Sequence, residues 1–210
     1  MIICAATNNP GKLAELRRIL EKHGHTVKSL DELGVTLDPE ETGHTFEENA
    51  RLKAKAFCEA TGLPTVADDS GLCVEALGGD PGVYSARYSG KHGDDAANNR
   101  KLLHNLQSVP EGWRSAKFVS AVCLALPDGR CLICTGECPG RIAMEERGTD
   151  GFGYDPLFIP DEVGLMLGGG TCPNHTGRTY AELKAPEKDG ISHRGRAMEK
   201  LEREMHKFLL

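Results

Sequence analysis

The chain has no run of apolar residues approaching the ~18 that a membrane-spanning helix needs, so a helical membrane protein is excluded at the outset. Nor are basic residues in excess: Lys and Arg total 25 against 31 Asp and Glu, a formal net charge of −6. A nucleic-acid coat needs a surplus of phosphate-neutralising cations, so that class is set aside as well. Aromatic residues are scarce, with six Phe, four Tyr and one Trp, and each one that stands in a loop calls for a reason. The opening residues, MIICAATNNPGK, lack a basic segment followed by an apolar core of about 7–15 residues, so no export signal is read. Glycine, by contrast, is abundant at 25 of 210 residues. Without a collagen period those glycines belong in turns and in loops that approach a ligand closely.

A chain of 210 residues with 39% hydrophobic and 27% charged residues is expected to fold as one soluble domain spanning residues 1–210. Its eight cysteines (4, 58, 73, 123, 131, 134, 138 and 172) lie mostly in apolar runs. They read as reduced thiols packed as small hydrophobes, and the expected compartment is the cytoplasm.

Residues 2–7 form an apolar run that reads as a buried strand. A turn, Asn8-Asn9-Pro10-Gly11, follows, then a helix from Lys12 to Lys22 with Leu13, Leu16, Ile19 and Leu20 at helical spacing. Strand, turn and helix in that order open an α/β unit. Residues 26–30 read as a second strand. Thr45 and Glu48 fit a capping box that starts a helix running to about Ala60. Residues 64–67 and 72–77 read as strands flanking a turn at Asp68-Asp69-Ser70-Gly71. A helix is expected over 94–107, a long hairpin over 116–142 about Pro127-Asp128-Gly129, and a terminal helix over 192–210. The whole reads as one α/β domain around a mixed sheet.

Several segments carry chemistry-bearing residues. Thr7, Asn8, Asn9, Pro10, Gly11 and Lys12 lie between a buried strand and a helix N-terminus, where unpaired N–H groups and the helix dipole favour anions. This is not a Walker A loop: Ala6 stands where the first glycine belongs and Leu13 follows the lysine. An ordinary Pro-Gly turn with a solvated lysine satisfies the same residues. Asp68 and Asp69 follow an apolar strand, the kind of strand end where α/β proteins place ligands. Neighbours in a strand face opposite sides, so one of the two would face a site. Mg²⁺ takes one or two carboxylates plus substrate phosphates, and Glu40 with Asp69 would suffice. Turn chemistry for the aspartates and a solvated loop for Glu40 and Glu41 are the plain alternatives.

Lys53 falls in the stripe Phe46, Ala50, Lys53, Phe57, where a core residue belongs. Its ammonium either snorkels to water or is aimed at a ligand. Phe152 and Tyr154 sit between glycines in Gly151-Phe152-Gly153-Tyr154-Asp155-Pro156, giving either a stacking surface for a base or a tight bend with the rings tucked inward. Lys188, His193 and Arg194 cluster before and at the start of the last helix, either as donors to a keto oxygen or ring nitrogen or as solvated charges after Ser192. Cys131, Cys134 and Cys138 look like the end of a ferredoxin run. Yet Asp128 stands three residues before the first, and the segment alternates like a strand, so metal ligation is not expected.

In order and spacing these motifs resemble the inosine/xanthosine triphosphate pyrophosphatase family. The carrying residues are Thr7-x-Asn9-x-x-Lys12, Glu40-Glu41-Thr42-Gly43, Thr45-Phe46-x-Glu48-Asn49-Ala50 and Ala67-Asp68-Asp69-Ser70-Gly71-Leu72, followed by Gly78-Gly79-x-Pro81-Gly82-x-Tyr84-Ser85-Ala86-Arg87, Gly151 to Pro156 and Ile191-Ser192-His193-Arg194-Gly195. The resemblance covers nearly the whole chain. It implies an elongated, two-lobed α/β fold around a long mixed sheet flanked by helices, forming a homodimer. It also implies hydrolysis of non-standard purine nucleoside triphosphates (ITP, dITP, XTP) between the α- and β-phosphates, giving the monophosphate and pyrophosphate. Residues Thr7 to Lys12 would hold the triphosphate, with Lys53 near the phosphates, and Glu40 and Asp69 would hold Mg²⁺. Asp69 would also activate water and Ser70 would contact substrate. Phe152, Gly153, Tyr154 and Asp155 would wall the base, with Lys188, His193 and Arg194 contacting it.

Departures from the family pattern are confined to two places. Residues 164–178 are longer than the usual link and read as a surface insertion, and Glu145-Glu146-Arg147-Gly148 stands where Pro-Arg-Gly is common. Competing readings are a pyrophosphatase for modified pyrimidine nucleotides and a nucleotide-binding regulator without catalysis. The partner expected under the main reading is a small-molecule nucleotide, with no nucleic acid and no membrane.

Overall fold

The computed structural model describes residues 1–165 and 170–209. Its elements are β1 (Ile2–Ala5), α1 (Pro10–Lys22), β2 (Thr26–Ser29), α2 (Phe46–Thr61), β3 (Thr65–Val74), α3 (Asp95–Asn105), β4 (Ser115–Ala125), β5 (Cys131–Ile142), β6 (Phe158–Pro160), β7 (Glu162–Gly164), β8 (Thr171–Pro173), α4 (Ala185–Asp189) and α5 (His193–Phe208). A six-stranded sheet has the order β2-β1-β3-β4-β5-β6, and β7 pairs with β8 in a separate two-stranded sheet. The larger sheet is mixed, as expected: β1 runs parallel to β2 and β3, and β5 antiparallel to β6.

The chain divides into two compact units. The first comprises Met1–Asp69, Ser120–Gly136 and Arg194–Leu210, and the second Ser70–Val119 and Glu137–His193. In the first unit, alternate residues of the strands feed two cores. Ile3, Ala5, Val122 and Leu124 pack with Leu16 and Leu20 of α1 and with Ala197, Met198 and Leu201 of α5. Cys4, Ala67, Ala121, Cys123 and Ala125 pack with Ala50, Ala54 and Phe57 of α2. The period of two thus sends successive side chains to opposite faces, and helices cover both. The small residues on the α2 face let the helix lie close, which brings Lys53 on that helix toward β3.

The second unit has one core, including Leu72, Leu102, Phe118, Phe158, Tyr180 and Ile191. Within it Phe118 packs edge-on to Phe158 with ring centroids 4.7 Å apart.

One expectation about local structure is corrected. The turn expected at Asp68-Asp69-Ser70-Gly71 is absent, because β3 runs unbroken from Thr65 to Val74 through all four residues. Extended backbone is tolerable there because the two carboxylates, pointing to opposite sides, each find cationic partners. The residues 72–77 expected as a strand are therefore the end of β3 followed by a short 3₁₀ turn, Glu75–Leu77. Residues 164–178, read as a surface insertion, contribute to a β7–β8 hairpin in which Val163 pairs with Cys172. The tip of that segment, 166–169, lies outside the described residues. All eight cysteines are free thiols, and among the described residues no group of three or more His, Cys, Asp or Glu side chains is arranged to hold a metal. No described helix is long and apolar enough to cross a membrane.

Candidate active site

The first unit holds Lys12, Glu40, Glu41, Lys53, Asp68, Asp69 and Arg194 of the residues that the sequence singled out. After β1 the chain turns through Thr7, whose Oγ1 accepts the Asn9 N–H at 3.1 Å. Asn9 then caps α1, its Oδ1 accepting the Lys12 N–H at 3.0 Å. Pro10 occupies the first helical turn, where its missing N–H costs nothing and its fixed φ suits the helix. Helix α1 therefore starts at Pro10, two residues before the expected Lys12. Asn8, Asn9 and Pro10 are exposed, and Thr7, Gly11 and Lys12 are half-buried.

The Lys12 ammonium turns back onto Asp68, with Nζ 3.2 Å from Oδ2. That same oxygen accepts Nε and Nη2 of Arg194 at 3.1 and 2.8 Å, and Nη1 of Arg194 donates to Glu15. Asp68 and Arg194 are each 1% exposed. Burial alone would raise the Asp68 pKa, but Arg194, Lys12 and Lys53 outweigh it and hold the carboxyl well below the usual carboxylate range. The Lys12 pKa is lowered, chiefly by burial and further by the neighbouring cations Lys53 and Arg194, against the pull of Asp68.

Asp69 points the other way. Its Oδ1 lies 3.7 Å from the Lys53 ammonium, and its Oδ2 accepts from the Asn49 amide at 3.0 Å. Lys53 in turn lies 2.6 Å from Glu41 Oε1. The Lys53 side chain is 13% exposed, so it neither snorkels into open water nor packs as an apolar residue. Burial pushes the Asp69 pKa up and the Glu41 charge adds to this, while Lys53, Lys12 and the Asn49 hydrogen bond oppose the rise. The Lys53 pKa is raised: burial would lower it, and the three carboxylates Asp69, Asp68 and Glu41 prevail. Two adjacent aspartates are thereby shifted in opposite directions, Asp68 down and Asp69 up, the division that separates a fixed anion from a group able to exchange a proton.

Of the glutamate pair, Glu41 is the one that meets Lys53, whereas Glu40 is exposed. Asn49, fully buried, ties this loop to the aspartate. Its Oδ1 accepts the Gly43 N–H at 2.8 Å while its Nδ2 holds Asp69. A Cβ at Gly43 would lie 2.6 Å from that Oδ1, so the close approach requires glycine. Sequence reasoning gave Asn49 and Glu15 no role. Glu15 could have been noticed as a carboxylate three residues after Lys12, on the same face of α1. Asn49 stands directly after the capping-box glutamate, in the first turn of a helix that also carries Lys53.

The second unit holds the aromatic residues. Asp155, 3% exposed, accepts the Phe152 N–H at 2.9 Å and the Lys188 ammonium at 2.6 Å. Tyr154 is tucked inward, its hydroxyl donating to the Ser85 carbonyl at 2.8 Å. Burial pushes its pKa well above the usual phenol range. Phe152 and Gly153 are half-buried. His193 is 5% exposed and stacks on Phe118 with ring centroids 4.7 Å apart. Ser70 is half-buried on β3 directly after Asp69. The sequence cluster of Lys188, His193 and Arg194 is thus parted: Lys188 and His193 belong to the second unit, and Arg194 to the first.

Comparison with known proteins identifies the family. Residues 3–204 match the Ham1 family. The chain belongs to that family. A dITP/XTP pyrophosphatase of Mycolicibacterium paratuberculosis is 51% identical over 93% of this chain and 91% of its own length, and one of Bacillus subtilis is 46% identical over 93% and 92%. Among solved structures, the Staphylococcus aureus Ham1 protein aligns with a TM-score of 0.80 at 38% identity, covering 99% of this chain and all of its own. A HAM1 protein from Coxiella burnetii aligns equally well, with a TM-score of 0.80 at 40% identity and 99% of each chain covered.

Proposed function

We propose that this Ham1-family chain hydrolyses non-standard purine nucleoside triphosphates, dITP, XTP and ITP, to the monophosphate and pyrophosphate. The observation that carries the reading is the Glu41–Lys53–Asp69 group: a buried carboxylate of raised pKa, held by Asn49 and flanked by a lysine, in the same unit as the Lys12 loop. The full-length similarity to two dITP/XTP pyrophosphatases supports the substrate class.

In this reading the open end of the Thr7–Lys12 loop binds the phosphate chain through N–H groups and the helix dipole. Lys12 and Lys53 offset its charge. Asp69 takes a proton from the attacking water, a role that suits a carboxylate whose pKa is raised by burial. Asp69 with Glu40, or with Glu41, would supply hard oxygen ligands in the number that Mg²⁺ takes when phosphates complete its shell. When bound there, Mg²⁺ would neutralise and polarise the polyphosphate.

By resemblance, Phe152 to Asp155, Lys188, His193 and Arg194 would contact the base. Hydrogen-bond pattern would separate a 6-keto purine from adenine. A donor left unpaired costs about 1–3 kcal/mol, so two mismatches give a hundredfold or more. The family resemblance further implies a homodimer, and cysteines packed as reduced thiols suit the cytoplasm.

The test is a panel of ITP, dITP, XTP, GTP, ATP and modified pyrimidine triphosphates, assayed for pyrophosphate with and without Mg²⁺. Pyrophosphate from the first three, with ATP and GTP poor, is the expected result. Release of orthophosphate, preference for the pyrimidines, or tight binding without turnover would each overturn it.

A further inference from the structure

Phe152 is held between two carboxylates, and one of them lies outside the motifs that carry the resemblance. Its own N–H is accepted by Asp155 at 2.9 Å. The next N–H, that of Gly153, is accepted by Asp95 Oδ2 at 2.8 Å, and the Gly153 carbonyl accepts from Asn99 Nδ2 at 3.2 Å. We infer that Asp95 and Asn99 of α3 are positioning residues for Phe152, and through it for recognition of the nucleoside base. The inference rests on the proposed nucleotide chemistry and adds to it the helix on which the base wall depends.

A peptide unit is planar, so a hydrogen bond that holds its N–H or C=O fixes the whole plane. Asp155 fixes the plane before Phe152 and Asp95 the plane after it, so both backbone torsions of Phe152 are constrained. Asn99 fixes the plane after Gly153. That glycine has φ +61° and open space where a Cβ would stand, so side-chain packing does nothing to hold it. Without the two α3 contacts it would be among the freest residues of the turn. Asp95 and Asn99 are four residues apart on α3, so one face of the helix presents both. Asp95 is exposed, whereas Asn99 is buried.

The helix is itself anchored. Asp94 caps it by accepting the Ala97 N–H at 3.1 Å. Asn98 accepts the Ser89 N–H at 2.7 Å and donates to the Ala86 carbonyl at 3.4 Å. The neighbouring Ser85 carbonyl takes the Tyr154 hydroxyl. Residues 85–89 and α3 thus support the Phe152–Tyr154 backbone from within the second unit. The Lys188 ammonium, 4.8 Å from the centre of the Phe152 ring, holds the other end of the side chain. Fixing an aromatic face before the ligand arrives removes an ordering cost from binding. Lys12 belongs to the first unit, so loss of the α3 contacts should fall on the base and spare the phosphates.

The test compares a ligand that has a base with one that has none. Asp95→Ala, Asp95→Asn and Asn99→Ala are measured by calorimetry for affinity toward inosine monophosphate and inorganic tripolyphosphate, and assayed for the ITP to GTP ratio of kcat/KM. Asp95→Ala should weaken inosine monophosphate about tenfold and narrow the ratio about fivefold, with tripolyphosphate within about twofold of wild type. Asp95→Asn keeps an acceptor for the Gly153 N–H and should stay within about threefold of wild type throughout. Added to Phe152→Ala, Asp95→Ala should cost no more than about a further twofold, because its effect passes through the ring already removed. Asp94→Ala removes the cap of α3 but no contact with the turn, so it should lower the urea midpoint and leave the ratio unchanged.

Equal losses toward inosine monophosphate and tripolyphosphate, or an unchanged ratio in Asp95→Ala, would overturn the inference. So would losses that multiply with Phe152→Ala, or an Asp94→Ala variant that narrows the ratio as much as Asp95→Ala. Should Asp95→Ala fail to fold, Asn99→Ala carries the same comparisons. If the wild-type chain bound inosine monophosphate but released no pyrophosphate from any triphosphate, the proposed function would fail on its own, and the binding comparison would still decide the role of Asp95. A wild-type chain that did not bind inosine monophosphate would overturn the inference itself.

Discussion

The Lys188 ammonium lies 2.6 Å from Asp155 and, at the same time, 4.8 Å from the centre of the Phe152 ring. One cation therefore braces both the carboxylate that anchors the turn and the aromatic face beside it. Asp155 does the complementary work, accepting the Phe152 N–H from within the same turn. Replacing Asp155 by Asn keeps an acceptor for that N–H but leaves Lys188 buried without its counter-ion. Breaking a buried pair in this way costs about 3–5 kcal/mol. Urea denaturation of Asp155→Asn should show a loss of that order and Lys188→Met a comparable one, because it strands the buried Asp155 carboxylate, whereas the double variant should lose less than the two losses summed.

Glycine at 151 is required by the same turn. Its φ is +83°, and a Cβ there would land on the Asp155 carboxylate. Gly151→Ala combines a strained backbone with displacement of the anchor. The expected outcome is a fall in kcat/KM for ITP of tenfold or more. Gly129→Ala, also at positive φ but in the β4–β5 turn with open space around it, should leave kcat/KM within about twofold.

Much of this was legible in the sequence, and the limits are physical. Period-two and helical apolar spacing located most strands and helices, including the hairpin about Pro127–Gly129 and the capping box at Thr45. The unbroken course of β3 was not legible, because Asp-Asp-Ser-Gly is turn chemistry until Arg194, 126 positions away, neutralises Asp68. Local propensity yielded to a long-range ion pair. At the site, Lys53 stood out as a cation in an apolar stripe, but nothing local distinguished Glu41 from Glu40. That choice is made by the geometry of the loop, which Asn49 fixes through Gly43.

Acid should destabilise the protein in a defined direction. Asp68 has a folded-state pKa held below that of the unfolded chain by Arg194, Lys12 and Lys53, acting against burial. A depressed carboxylate contributes stability that is fully present above its unfolded pKa of about 3.9 and is lost as pH falls toward the folded value. Urea midpoints measured from about pH 7 down to pH 3 should hold on the neutral side and then decline below about pH 5. A midpoint that rises on acidification would contradict the charge state assigned to Asp68.

Asn49 gives the sharpest test of the proposed base. Its amide donates to Asp69 at 3.0 Å, and a hydrogen bond to the ionised form favours that form. Burial has already raised the Asp69 pKa, so removing the donor raises it further. If Asp69 accepts the proton from water, activity on the acid side requires it to be ionised, and the acid limb of the kcat/KM profile follows its pKa. Asn49→Ala should therefore move that limb to higher pH, besides lowering the plateau through the freed Gly43 loop. Asp69→Asn should remove the reaction itself, lowering kcat by about 10²–10⁴-fold while ITP still binds. An acid limb that stays in place in Asn49→Ala, in a variant that folds and turns over, would show that some group other than Asp69 takes the proton.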